Sequence, residues 1–179
     1  MKIRTATIAD AALLTELSVV TMREAFGPPH NPAQLVEEYI DSAFSVAQLT
    51  AELSDPRSVF FLLELNGLAI GYAKIRQTKP PRQIPELYRR VGAAVEIQRI
   101  YLLTAHTGRG QGRLLMDHCL DWARQALYQA VWLGVWEHNE RGLAFYQKNG
   151  FERVGFHYFM FGSERQRDYW MIKPLNKPA

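Results

Sequence analysis

The spacing of apolar residues changes several times along the chain, and each change marks an element. Lys2 to Ala6 reads as a short strand, after which Thr7 and Asp10 form a capping box for a helix with Leu13, Leu14, Leu17 and Val20 at helical spacing. "GPPHNP" interrupts that helix. Asn31 before Pro32 predicts the N-cap of a second helix carrying Leu35, Val36, Tyr39 and Ile40. Ser45 with Gln48 repeats the capping logic, so a third short helix carries Leu49 and Leu53 until Asp55-Pro56 ends it.

Beyond Pro56 the pattern is that of extended chain. "SVFFLLEL" and "LAIGYAKI" flank Asn66-Gly67, a dipeptide suited to a two-residue hairpin turn. "QTKPPRQIPELYRRVG" is too rich in proline and charge for regular structure and reads as a surface loop near whatever the sheet binds. "AAVEIQRIYLL" and "AVWLGVW" are strands, the second of the short apolar kind that is buried between helices. Between them Leu114, Leu115, Cys119, Leu120, Trp122, Ala123 and Ala126 share one broad helical face. "NERGLAFYQKNG" predicts a last helix that starts at Asn139 and stops at Gly150. "FERVGFHYFMF" and "DYWMIKPL" then close the sheet, with a hairpin across "GSERQR". The class is α/β, with a mixed central sheet of about six to seven strands flanked by helices.

Composition narrows the field of functions. A chain of 179 residues fits one domain, residues 1–179, with a core that needs no staples. It has no run of roughly 18 apolar residues, so no membrane span is expected. "MKIRTATIADAALL" lacks the apolar stretch of a signal peptide, and the expectation is a cytoplasmic protein. Cys119 is the only cysteine, which excludes an intrachain disulfide and suits a buried small hydrophobe. The charge of +3 is scattered, without the basic stripe that nucleic acid would require, and an anionic cofactor suffices to explain it. The five histidines show no metal-ligand spacing, so no metal is expected.

The candidate chemistry starts at "HTGRGQGRLL", where a strand, a glycine-rich turn and a helix follow one another. The first amides of a helix lack partners and its dipole favours negative charge, so this is a recurrent anion site. A dinucleotide fingerprint fails, because the sixth position from Gly108 is Arg113 and from Gly110 is Leu115. A P-loop fails too, since Arg113 and Leu114 follow Gly112 where Lys and Ser or Thr are needed. Taken alone, the turn is either an anion cradle or a plain flexible connection.

Two stretches decide between those readings. "QRIYLLTAHTGRGQGRLL" resembles the acetyl-CoA-binding motif of the GNAT superfamily of N-acetyltransferases: Arg or Gln, two residues, Gly, one residue, Gly or Ala. "WEHNERGLAFYQKNGF" resembles that superfamily's later motif, in which Asn precedes Phe-Tyr and then Gly-Phe. Thr107 departs from the pattern, standing where Arg or Gln is usual. The resemblance covers nearly the whole chain, and within the superfamily it points to the PaiA-type bacterial enzymes that acetylate spermidine and spermine.

The resemblance implies a set of roles. The strand "EIQRIYLLT" would splay from its neighbour after a bulge, and the pantetheine arm would fill the gap by pairing with backbone near Leu102, Leu103 and Thr104. Amides from Thr107 through Gly108, Arg109, Gly110, Gln111 and Gly112 would meet the pyrophosphate, with Arg109 and Arg113 supplying charge unless they are merely a solvated helix end. Asn139 would hold the cofactor or serve as a simple N-cap, and the two are compatible. Glu96 is the implied general base, Tyr146 the implied partner of the departing thiolate, and acetyl-CoA the co-substrate. The acceptor would be a small-molecule amine, with Glu37, Glu38 and Asp41 as candidate contacts for a polycation or, the reading the spacing favours, a solvated helix face. A homodimer is the assembly the resemblance allows. Acetylation of peptides, and a regulatory module that binds acetyl-CoA without turnover, are the alternatives.

Overall fold

In a computed structural model, which describes residues 1–175, the capping box forms where the sequence places it: the Thr7 amide donates to Asp10 Oδ2 at 2.8 Å. It follows strand β1 (Lys2–Thr5) and leads through one 3-10 turn into helix α1 (Ala11–Phe26). The buried face of α1 is Ala11, Leu14, Leu17, Ser18, Thr21 and Met22. Leu13 and Val20, expected inside, are exposed, because the inward stripe runs through the polar Ser18 and Thr21. The Thr21 hydroxyl is satisfied by the Leu17 carbonyl one turn back, 2.8 Å away, which makes its burial cheap.

Helix α2 (Ala33–Ala43) begins one residue later than predicted, with Pro32 rather than Asn31 at the N-cap. Asn31 is buried instead: its Nδ2 donates to the Phe26 carbonyl at 2.8 Å, and its Oδ1 accepts from Gln166 Nε2 at 2.7 Å. It ties the end of α1 to the last strand. Helix α3 (Val46–Ser54) is capped as expected, Ser45 Oγ accepting from the Gln48 amide at 3.1 Å.

Strands β2 (Ser58–Leu65) and β3 (Leu68–Arg76) form the expected hairpin, with Asn66 and Gly67 both at positive φ as that turn demands. Then come β4 (Ala94–Leu102), α4 (Gln111–Gln125), β5 (Ala130–Trp136), α5 (Glu140–Lys148), β6 (Glu152–Phe161) and β7 (Glu164–Pro174). The last hairpin turns on Gly162 and Ser163 alone, so "ERQR" belongs to β7 rather than to the turn. The Arg165 guanidinium lies over the Tyr158 ring at 3.7 Å and Arg167 over Phe156 at 5.6 Å, contacts that hold these charged residues in the ladder.

The seven strands form one mixed sheet in the order β1-β2-β3-β4-β5-β7-β6, and every neighbouring pair is antiparallel except β4 and β5. Helix α4 covers one face, where Leu115, Met116, Cys119 and Ala123 pack against Ile75, Ile97, Val131 and Leu133. Leu114, expected on that inner face, is exposed. Burial pushes the Cys119 thiol up to about 12, so it behaves as the inert hydrophobe the sequence suggests. On the other face Leu14, Leu17, Leu35, Ile40 and Leu49 of α1 to α3 meet Phe60, Leu62 and Tyr72.

Two features of this sheet shape what lies at its centre. The parallel pairing of β4 with β5 covers only Ala94–Glu96 against Ala130–Trp132. Beside it, Gln98 is an extra residue in β4, since Lys74 pairs with Arg99 while Ile75 pairs with Ile97. Past this bulge β4 follows β3 and β5 follows β7, so the two strands part.

The second feature is a buried charge cluster. Glu52 of α3 lies 2.7 Å from Lys74 Nζ and 2.7 Å from the Arg99 guanidinium. Burial alone would raise the Glu52 carboxyl, but Arg99 and Lys74 hold it at about 2. A folded-state value below the ordinary one stabilises the fold above that ordinary value and ceases to do so as pH falls toward the folded value. Denaturation midpoints should therefore drop as pH falls from about 4.5 to about 2. Glu52→Gln should flatten the profile in that window, and an unchanged acid limb would exclude this cluster as its source.

Candidate active site

The glycine turn begins with Thr107, whose hydroxyl donates to the Thr104 carbonyl at 2.7 Å and closes a single 3-10 turn. That contact is what this chain makes with the residue that departs from the superfamily pattern. Gly108 and Gly110 follow at φ of +77° and +85°, and Gly110 caps α4. A methyl group built on either glycine would touch nothing within 4 Å. Backbone conformation, not crowding, requires glycine there. Gly112 differs, because a methyl on it would lie 3.4 Å from Leu102 and 3.5 Å from the Phe145 ring, in contact with both, so only a side chain larger than alanine's would crowd β4 and α5. The amides of residues 108 to 113 make no hydrogen bond within the described protein, and they sit at the positive end of a 15-residue helix.

From this turn a cavity of about 1240 Å³ runs into the opening between β4 and β5. Its wall includes Leu102 and Gly134 to Trp136 from the parted strands, Phe145 and Tyr146 from α5, and Phe26 and Tyr39 from α1 and α2. It therefore passes through the sheet from one face to the other. Leu103, Arg109 and Gln111 do not line it. The Leu103 amide is taken by the Ile70 carbonyl at 2.9 Å and the Thr104 amide by Glu24 Oε2 at 2.7 Å. Strand alternation turns the backbone groups of Ile100 and Leu102 the other way, toward the gap, so the free edge expected over Leu102 to Thr104 lies one step earlier.

Glu96 sits where β4 and β5 begin to part, buried, with Oε2 2.9 Å from Arg76 Nε. Burial raises its carboxyl above the ordinary range, and the neighbouring Arg76 opposes that rise without cancelling it. Tyr146 packs edge-on against Phe145 and Phe151, and its hydroxyl makes no hydrogen bond within the described protein. Burial raises its phenol above the usual value. Asn139 Oδ1 accepts from the Gly142 amide at 2.8 Å, which is the N-cap role, while Nδ2 is left free on the cavity wall. Arg113 also lines the cavity, with Nε held 2.8 Å from Asp117.

Three acids and one loop lie outside the cavity. Glu37 is paired with Arg23 at 2.7 Å, Glu38 accepts from the Ser163 amide at 3.0 Å, and neither they nor Asp41 reaches the cavity. They are the outer face of α2. The loop from Gln77 to Ala93 does not line the cavity either, because Ile84 is pinned in a small core with Ala94, Trp132 and Ile172.

Sequence reasoning missed Asp168. It lies on the cavity wall near Trp170 and His157, whose rings stack 3.7 Å apart. Burial first, and then the charge of Glu137, push its carboxyl up to about 6. The available signal was the alternation Asp168, Trp170, Ile172 in "DYWMIKPL", which puts an acid on the same face as two buried-type side chains.

Comparison with known proteins matches residues 19–151 to the family described as the acetyltransferase (GNAT) family. An N-acetyltransferase of Lactobacillus delbrueckii subsp. lactis, encoded in the pepI 3′ region, is 30% identical over 89% of this chain and 88% of its own length. The N-alpha-acetyltransferase RimI of Mycobacterium tuberculosis is 33% identical over 64% of this chain and 65% of its own. The fold is also that of the PaiA N-acetyltransferase from Thermoplasma acidophilum, crystallised with coenzyme A, with a TM-score of 0.73 and 20% identity over 97% of this chain and 98% of that one. The matched region holds the glycine turn, the parted strands and Tyr146, and with a relative this similar along most of both sequences the chain belongs to the acetyltransferase (GNAT) family.

Proposed function

We propose that the cavity transfers the acetyl group of acetyl-CoA to a primary amine by direct attack, with a polyamine such as spermidine or spermine as acceptor. One observation carries this reading: free amides at the glycine turn, a gap in the sheet, and then Glu96 and an unpartnered tyrosine hydroxyl all open on one continuous cavity. The amides of Gly108 to Gly112 fit a pyrophosphate, Leu102 presents backbone to the pantetheine arm, and Asn139 Nδ2 and Arg113 add side-chain contacts. When bound, acetyl-CoA supplies a thioester carbonyl for attack and a thiol as leaving group.

An alkylammonium, a thioester and no other reactant give an amide, a free thiol and one released proton. The amine must lose its first proton before it can attack, since its lone pair is otherwise engaged. Glu96, raised by burial, is better suited to take that proton than an ordinary carboxylate, directly or through water. Tyr146 is the poorer acid for being buried. Even unperturbed, a phenol would protonate a thiolate uphill by about 2 kcal/mol, so Tyr146 stabilises the departing sulfur by donating a hydrogen bond.

Glu96→Gln should lower kcat/KM about tenfold and move the acidic limb of the pH–rate profile, as loss of a general base requires. An unshifted profile with full activity would remove Glu96 from proton transfer. The acceptor is tested by free-thiol release from acetyl-CoA across diamines, polyamines, amino acids and peptides, with polyamines expected to give the highest kcat/KM. Likeness to RimI supports a second reading, a peptide α-amine as acceptor, and peptides outrunning polyamines would establish it. Thiol release with none of these amines would favour a module that senses acetyl-CoA.

A further inference from the structure

Asp168 is a shielded carboxylate, its side chain 18% exposed, with no hydrogen-bond partner among the described residues. No arginine or lysine among the described residues lies within ion-pair distance of it, and Arg167, its neighbour in sequence, is held by Glu137. His157 Nε2, 4.0 Å from Asp168 Oδ2, is buried with no partner, and burial holds this imidazole below its usual value. Strand register sets aromatic groups around the carboxylate, with Trp136 opposite it on β5, His157 opposite on β6, and Trp170 two residues along the same face.

Ionised oxygens inside a wall of rings, with no cation supplied by the protein, complement an ammonium group, which gains both charge and ring-face attraction. The nitrogen that attacks a thioester must be neutral, and a carboxylate holding it as ammonium would oppose the reaction. We infer that Asp168, with Trp136, binds a second, non-reacting ammonium of the acceptor, and so selects diamines and polyamines over monoamines. This inference rests on the cavity being the acceptor site.

The test compares wild type with Asp168→Asn, using putrescine, spermidine and n-butylamine as acceptors at saturating acetyl-CoA. Losing one charge-assisted contact should raise KM for putrescine and spermidine about tenfold or more. The kcat, the KM for acetyl-CoA and both constants for butylamine should stay within about twofold. The melting temperature at neutral pH should hold or rise, because an ionised carboxylate with a raised folded-state value costs stability there. Asp168→Glu, which keeps the charge, should recover part of the discrimination. Unchanged KM for the diamines would overturn the inference while leaving amine acetylation intact. A fall in kcat for all three amines would also overturn it, placing Asp168 at the reacting nitrogen. A wild type that acetylates peptides and none of these amines would instead overturn the acceptor reading, and the inference with it.

Discussion

Gly110→Val should weaken acetyl-CoA binding by about ten- to a hundredfold while leaving the protein folded. Gly110 holds φ at +85°, a conformation that costs an ordinary residue roughly 1–2 kcal/mol and a β-branched one more. The chain can relieve that strain only by rotating the peptide units on either side, and those carry the amides aimed at the phosphates. The fold itself is not crowded there, because a methyl at Gly110 meets no protein atom within 4 Å. That separates this position from Gly112, where a valine would press on Leu102 and Phe145 and lower the melting temperature as well. Calorimetric titration with coenzyme A, alongside thermal melts of both variants, distinguishes the two. Tight binding by folded Gly110→Val would refute the phosphate cradle.

Tyr146→Phe should reduce kcat by about a hundredfold with little change in the KM for acetyl-CoA. The substitution removes one oxygen that bonds to nothing in the resting protein, so the packing of the ring against Phe145 and Phe151 survives. What it removes matters only as negative charge gathers on sulfur, and such a contact acts on turnover rather than on ground-state binding. Because burial raises this phenol, the wild-type rate should show no tyrosine ionisation below about pH 10. Steady-state kinetics with a fixed amine tests both statements, and equal kcat in variant and wild type would take Tyr146 out of the mechanism.

Much of the site was legible because its parts are local. The spacing Gly108, Gly110, Gly112 sits within one turn, and Asn139 to Phe151 within one helix and its stop, so short patterns suffice to find them. The distinct tasks of the three glycines were not legible, since a positive φ and a close approach select the same residue. Asn31 looked like an N-cap because its neighbour is proline; its true partners, Phe26 and Gln166, are set by how α1 meets β7. Glu37, Glu38 and Asp41 attracted attention as a cluster, whereas Asp168 is a lone acid in a strand, and only its alternation with Trp170 and Ile172 marks the face it shares. The parting of β4 from β5 after a bulge followed from the resemblance, whereas its placement at Gln98 did not, since "EIQRI" carries no glycine or proline to mark the extra residue.

That parting also means that the sheet is two plates rather than one. Strands β1 to β4 form the first and β5 to β7 the second, and among the described residues the backbone pairs Ala94–Ala130 through Glu96–Trp132 and the Gln129 amide on the Ala93 carbonyl join them. The free edges that face each other across the seam are an inward-turned form of the exposed strand edge that proteins usually avoid, since they open on the cavity rather than on the outer rim of the sheet. The angle between the plates fixes the width of the seam. A substitution deep in the packing of α1 to α3, far from any reacting atom, can thus alter how the donor fits simply by tilting one plate against the other.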